Sequence, residues 1–248
     1  MNHSRSSAGA PREPDLPPYQ VVLAETDWGS LQTAFGNGED LPEVLARLLE
    51  PDPKVQVAAL SELGELVGRQ NTIYEATAPA AMYVAGILTH PAAMTLRLYR
   101  NVPIRATLLN WLVSAAYDAS DKIVGRTEQY FPGFLTHDTT VAAFRDLCPM
   151  LYRAVAPFLQ DSQEDVREAA VIAALILAEH PALAEHRDHL AEHARRILDT
   201  SRHDPNRRVA RKALEAWGHD VPDPDPFREE PWDWGPHSDG RGDLEPPF

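Results

Sequence analysis

Asp52-Pro53-Lys54-Val55-Gln56-Val57-Ala58-Ala59-Leu60 decides the fold, because the same kind of stretch returns later in the chain. It recurs as Asp165-Val166-Arg167-Glu168-Ala169-Ala170-Val171 and as Asp204-Pro205-Asn206-Arg207-Arg208-Val209-Ala210-Arg211-Lys212-Ala213-Leu214. A weaker copy starts at Val102. In each copy an Asp or Pro suits a turn and helix start, and a valine followed by small alanines lets a neighbouring helix approach closely. Upstream of the first copy, Leu41, Val44, Leu45, Leu48 and Leu49 follow 3,4 spacing and form one apolar helical stripe until Pro51 and Pro53 stop it. Downstream, Val55, Val57, Leu60, Leu63, Leu66 and Val67 recur at helical intervals up to Gly68. The unit is therefore a helical hairpin with a short Asp-Pro turn.

Repetition sets the architecture. Val102 lies 47 residues after Val55 and Val209 lies 43 after Val166, both within the range of helical-hairpin repeats. The 64-residue step from Val102 to Val166 implies about 20 added residues, placed within 119–140. A single hairpin exposes an apolar face that stacking buries, so the pattern predicts an all-α fold, an α-solenoid. The domain boundaries follow from composition. Residues 1–18 mix Ser, Gly, Pro and charge without periodicity and read as a disordered leader, 19–218 as the solenoid, and 219–248 as an acidic, Pro-rich disordered tail.

A resemblance follows from particular residues. Trp28-Gly29-Ser30-Leu31, Ala34-Phe35-Gly36, Asp40-Leu41-Pro42, the first hairpin, and Gln70-Asn71-Thr72-Ile73-Tyr74-Glu75-Ala76-Thr77-Ala78-Pro79-Ala80 together resemble bacterial HEAT-repeat proteins. The likeness is greatest over about residues 26–90 and continues as generic pattern to 218. It implies a HEAT-like, armadillo-like binding scaffold and transfers no catalytic residue.

The net charge of −14 is uneven: about −2 over residues 1–37, −6 over 38–165, +1 over 166–218 and −7 over 219–248. An acidic chain repels nucleic acid at long range and favours basic partners. Cys148 is the only cysteine, which excludes an intramolecular disulfide and a cysteine-based zinc cluster. A reducing cytoplasm is the simplest expectation. No stretch reaches the length of apolar sequence that a membrane span needs.

Chemistry-bearing candidates are few. His186, His189 and His193 stand at i, i+3 and i+7, but positions two helical turns apart are about 10.5 Å distant, too far for one metal ion, so no metal site is expected. Cys148 falls in the apolar pattern Phe144, Leu147, Leu151, Val155 and reads as a buried small hydrophobe. No GxSxG, P-loop or GxGxxG fingerprint occurs, so the chain reads as non-catalytic, with no cofactor. The tail carries Trp232 and Trp234 amid acids, which would suit either a short docking motif or packing near Trp217.

Three groups remain as binding candidates. The added segment 121–140, expected to be a loop punctuated by Pro132 and Gly133, holds Tyr130, Phe131 and Phe134, and the expectation is that these line a groove with Trp111 and Tyr117 from the preceding helix and anchor a protein partner. Arg69, Gln70, Tyr74 and Glu75 form a second, polar candidate, for which helix capping by Asn71 or Thr72 with Glu75 is the structural alternative. Arg195, Arg196, Arg207, Arg208, Arg211 and Lys212 are the residues through which a HEAT-like protein would hold DNA. The leading expectation is a monomeric, regulatory or immunity-type scaffold that binds another protein through the inner surface of the solenoid. DNA binding or repair is the first alternative, and an enzyme of unrecognised type the second.

Overall fold

The structure is a computed structural model that describes residues 15–95 and 102–221. Most of the expected leader and nearly all of the expected tail, with Trp232 and Trp234, lie outside these residues. The described chain is mostly helical: α1 (Tyr19–Glu25), α2 (Leu41–Arg47), α3 (Pro53–Val67), α4 (Thr77–Ile87), α5 (Pro91–Thr95), α6 (Ile104–Asp118), α7 (Asp121–Tyr130), α8 (Phe134–His137), α9 (Thr139–Asp146), α10 (Cys148–Val155), α11 (Glu164–Leu177), α12 (Arg187–Thr200) and α13 (Asp204–Ala216). One antiparallel hairpin of two-residue strands, β1 (Gln32–Thr33) and β2 (Gly36–Asn37), pairs Gln32 with Asn37 and Thr33 with Gly36. Gly36 turns it with φ at +129°, a conformation that side-chain-bearing residues rarely adopt.

The four copies of the repeated motif open α3, α6, α11 and α13. α2 packs on α3, α4 on α6, α10 on α11, and α12 on α13, while α11 also lies against α6 and α13. The alanines explain the closeness: Ala169, Ala170, Ala173 and Ala174 are all buried in α11, beside Val166, Ile172 and Leu175. A methyl side chain fills little space and loses no rotamer freedom on burial.

Capping departs from the expected pattern. In α3, Asp52 caps as foreseen, its carboxylate accepting from the Lys54 N–H at 2.8 Å. Asp204 instead lies inside α13, and neither α11 nor α13 has a side-chain cap. Val57, expected on the buried stripe, is 44% exposed, and Gln56 takes the inward position. The reason is a carbonyl that the α2–α3 turn leaves open: the Gln56 amide donates to Leu48 O at 3.0 Å, and a buried carbonyl without a partner is costly.

Arg105 joins separate parts of the chain. Its side chain is buried, donates through Nε to Leu88 O at 2.8 Å just past α4, lies 3.5 Å from the Asp161 carboxylate ahead of α11, and stacks over Phe158. A buried guanidinium is tolerable only when its charge and its donors are matched in this way.

Candidate functional site

The added segment is helical, which corrects the expectation of a loop. Ser120 holds extended backbone at the N-cap position and Asp121 places an acid in the first turn, where the helix dipole favours it. The Pro132-Gly133 pair, read from sequence as loop punctuation, marks only the break between α7 and α8. Gly133 adopts φ +83°, and the Glu128 carboxylate accepts from the N–H groups of Gly133 at 2.8 Å and Leu135 at 3.3 Å. The chain thus folds back tightly, and Asp138 then caps α9 by accepting from Thr140 and Val141.

This turn leaves Tyr130 75% and Phe131 68% exposed, side by side, at the rim of an open concavity of about 820 Å³ that Phe134, His137 and Thr140 also line. Phe134 is half-buried and packs on the core. Trp111 and Tyr117, expected on the same groove, do not line it. Both are half-buried against the core on α6.

Beneath α7 lies a polar anchor. Arg145 donates to Ala119 O at 2.7 Å and to the Asp121 carboxylate at 2.6 Å, and the Asp121 N–H donates to Glu179 at 2.7 Å. Burial raises the Glu179 carboxyl, an effect that the Asp121 N–H partly opposes. Burial also pushes Asp118, at the end of α6, up to about 6. Cys148, close by, is buried and its thiol is pushed up to about 12, first by burial, so it is no thiolate nucleophile at neutral pH.

The second candidate group is spent largely on internal bonds. Glu75 does not complete a capping box; its carboxylate accepts from the Gln32 N–H at 2.9 Å and clips the hairpin to the start of α4. No side chain caps α4; Thr77 instead ties the preceding turn to α3, accepting from the Tyr74 N–H at 2.9 Å while donating to Val67 O at 2.7 Å. Thr72 and Asn71 cap nothing, since Gln70 and Asn71 both turn through left-handed backbone near φ +55°. The Tyr74 hydroxyl donates to Arg69 O at 3.4 Å, and the Arg69 guanidinium sits over the exposed ring of Phe35.

The basic candidates occupy α12 and α13, which pack together. Arg195 and Arg196 are exposed, with Arg195 3.1 Å from the His219 ring, while Arg207, Arg208 and Arg211 are half-buried. Among the histidines, His189 and His193 meet at 3.3 Å, whereas His186 stacks on Tyr152 instead. Burial holds His193 below its ordinary value, and the His189 charge adds to that. Among the described residues no three His, Cys, Asp or Glu side chains converge as metal ligands would, and no helix is long and apolar enough to cross a membrane.

Compared with family models, with curated proteins and with solved structures, the chain finds no match. The functional reading therefore rests on its own residues. The sequence did not single out Glu128, Arg145 or Glu179, which hold the α7–α8 segment in place; the partners of Arg145 and Glu179 lie 24 to 58 residues away, beyond any local pattern.

Proposed function

We propose that this chain is a non-catalytic, protein-binding scaffold of HEAT-like hairpins, and that the α7–α8 segment provides the contact surface. The succession of packed pairs, α2 with α3, α4 with α6, α10 with α11 and α12 with α13, supports stacking into a short solenoid, because α11 touches the corresponding helices on both sides. One observation carries the binding role: Tyr130 and Phe131 are held out to solvent by a purpose-built turn. Folding gains nothing from exposed aromatic rings, and adjacent rings beside a concavity are the kind of anchor that dominates protein interfaces. The partner is another protein, in a regulatory or immunity-type role.

Photo-crosslinking tests this directly. With benzoylphenylalanine at position 131, a protein from the native cell should cross-link, and with the same group at position 57 it should not. Once that partner is in hand, Tyr130→Ala and Phe131→Ala should each weaken binding by about 2 kcal/mol or more. Unchanged affinity in folded variants would reduce the two rings to surface. Retention on DNA at low salt that falls steeply as salt is raised would favour the arginines of α12 and α13 instead.

A further inference from the structure

His189 and His193 stand about one helical turn apart on α12, so both side chains rise from the same face. Their rings meet edge to face with centroids 4.9 Å apart, and the two Nε2 atoms lie 3.3 Å from each other. His193 is buried and His189 exposed, so one ring is held by packing while the other reaches solvent. His186, three residues before His189, turns away from the pair and stacks on Tyr152.

The distance between the nitrogens has a chemical meaning. Two imidazolium charges would repel at 3.3 Å, so at least one ring is neutral and has a nitrogen lone pair free. A hydrogen bond between the rings accounts for the contact, though at this length a weak one. A shared metal ion accounts for it as well. For an ion bound at about 2.0–2.1 Å to each nitrogen, a tetrahedral angle sets the nitrogens about 3.3–3.4 Å apart. The rings therefore stand at ligand spacing already. Binding asks only that the ring donating through Nε2 carry its proton on Nδ1 instead. The local charge does not oppose a cation. Glu164 and Glu168 line a small cavity of about 30 Å³ with His193, against Arg167 and Arg196 on the same walls, and Glu192 precedes His193 in the chain.

We propose that His189 and His193 form a two-nitrogen site for a divalent transition metal of the zinc, copper and nickel class. Imidazole nitrogen suits these ions, whereas magnesium and calcium take oxygen ligands. Among the described residues no group of three His, Cys, Asp or Glu side chains converges, so the remaining coordination positions are left to water on the exposed side of α12. An ion held in this way keeps exchangeable positions, as a closed four-ligand structural site does not.

Carbethoxylation of histidine by diethyl pyrocarbonate, read by mass spectrometry on the full chain, tests the site with His186 as the internal reference. Zinc at about ten times its Kd should slow modification of His189 about tenfold and leave His186 unchanged. Copper(II) and nickel(II) should protect His189 in parallel arms, and magnesium should not. In His193→Ala, the same zinc concentration should no longer protect His189. In His189→Ala, which removes an exposed ring, isothermal titration should count one zinc ion fewer per chain than in wild type. No protection of His189 at millimolar zinc, equal slowing of His186, equal protection by magnesium, or an unchanged zinc count in His189→Ala would each overturn the proposal. The wild-type and His189→Ala arms stand even if His193→Ala fails to fold.

Discussion

α11 and α7 spend their side chains in opposite ways. α11 buries ten of its fourteen residues, from Val166 to Leu177, whereas α7 buries only Val124. The first is held by close packing on α6, α10, α12 and α13. The second is held at one end by hydrogen bonds, through Arg145 and Glu179, and shows two aromatic rings to solvent at the other. Buried apolar surface explains stability, and exposed apolar surface that nothing in the fold requires points to a partner.

Substitutions in the two helices should differ sharply in effect. The largest effect should come from α11: Ile172→Ala should lower the free energy of unfolding by about 2–5 kcal/mol in a urea titration, through lost contacts and a cavity. Arg145→Ala should cost about 1.5–3 kcal/mol, since it removes a charged donor from Ala119 O and from Asp121, and amide exchange should accelerate in α7 before α11. A uniform acceleration would show that α7 is part of the main core.

Next in size is a pH effect. Asp118 is raised to about 6 in the fold, above the ordinary carboxylate value, so the folded chain holds a proton that the unfolded chain releases first. Its contribution to stability is present below about pH 4 and is lost as pH rises through 6. Asp118→Asn should therefore gain over wild type between pH 4 and 7, by about 2–4 °C in Tm once partial access of water is allowed for. A difference between the two proteins that does not change with pH would remove Asp118 as its source. The smallest effect should be that of Phe131→Ala on stability, within about 0.5 kcal/mol, although the same change should weaken partner binding. A loss comparable to that of Ile172→Ala would place Phe131 in the core.

Much of this architecture was legible in the sequence. The recurring valine-alanine stretch marked the starts of α3, α6, α11 and α13. What could not be read was anything set by distant partners. Gln56 displaced Val57 from the core because a turn eight residues earlier left Leu48 O open, and Glu75 went to Gln32 rather than to the adjacent cap. The added segment was mistaken for a loop because Pro132 and Gly133 punctuate a two-helix unit as readily as they punctuate a coil. Trp111 and Tyr117 share a helix and an aromatic character with a binding surface, but only the fold shows that they face the core.

Arg105 bears on how the chain melts. Hairpins that touched only through apolar faces could fray one at a time from either end. Arg105 sits on α6, yet its donor goes to the residue just past α4 and its charge to the acid ahead of α11, so withdrawing either neighbour strands a buried cation. These segments should consequently come apart in one cooperative transition, and a protease should find no partly opened form cut between them that is still folded on both sides.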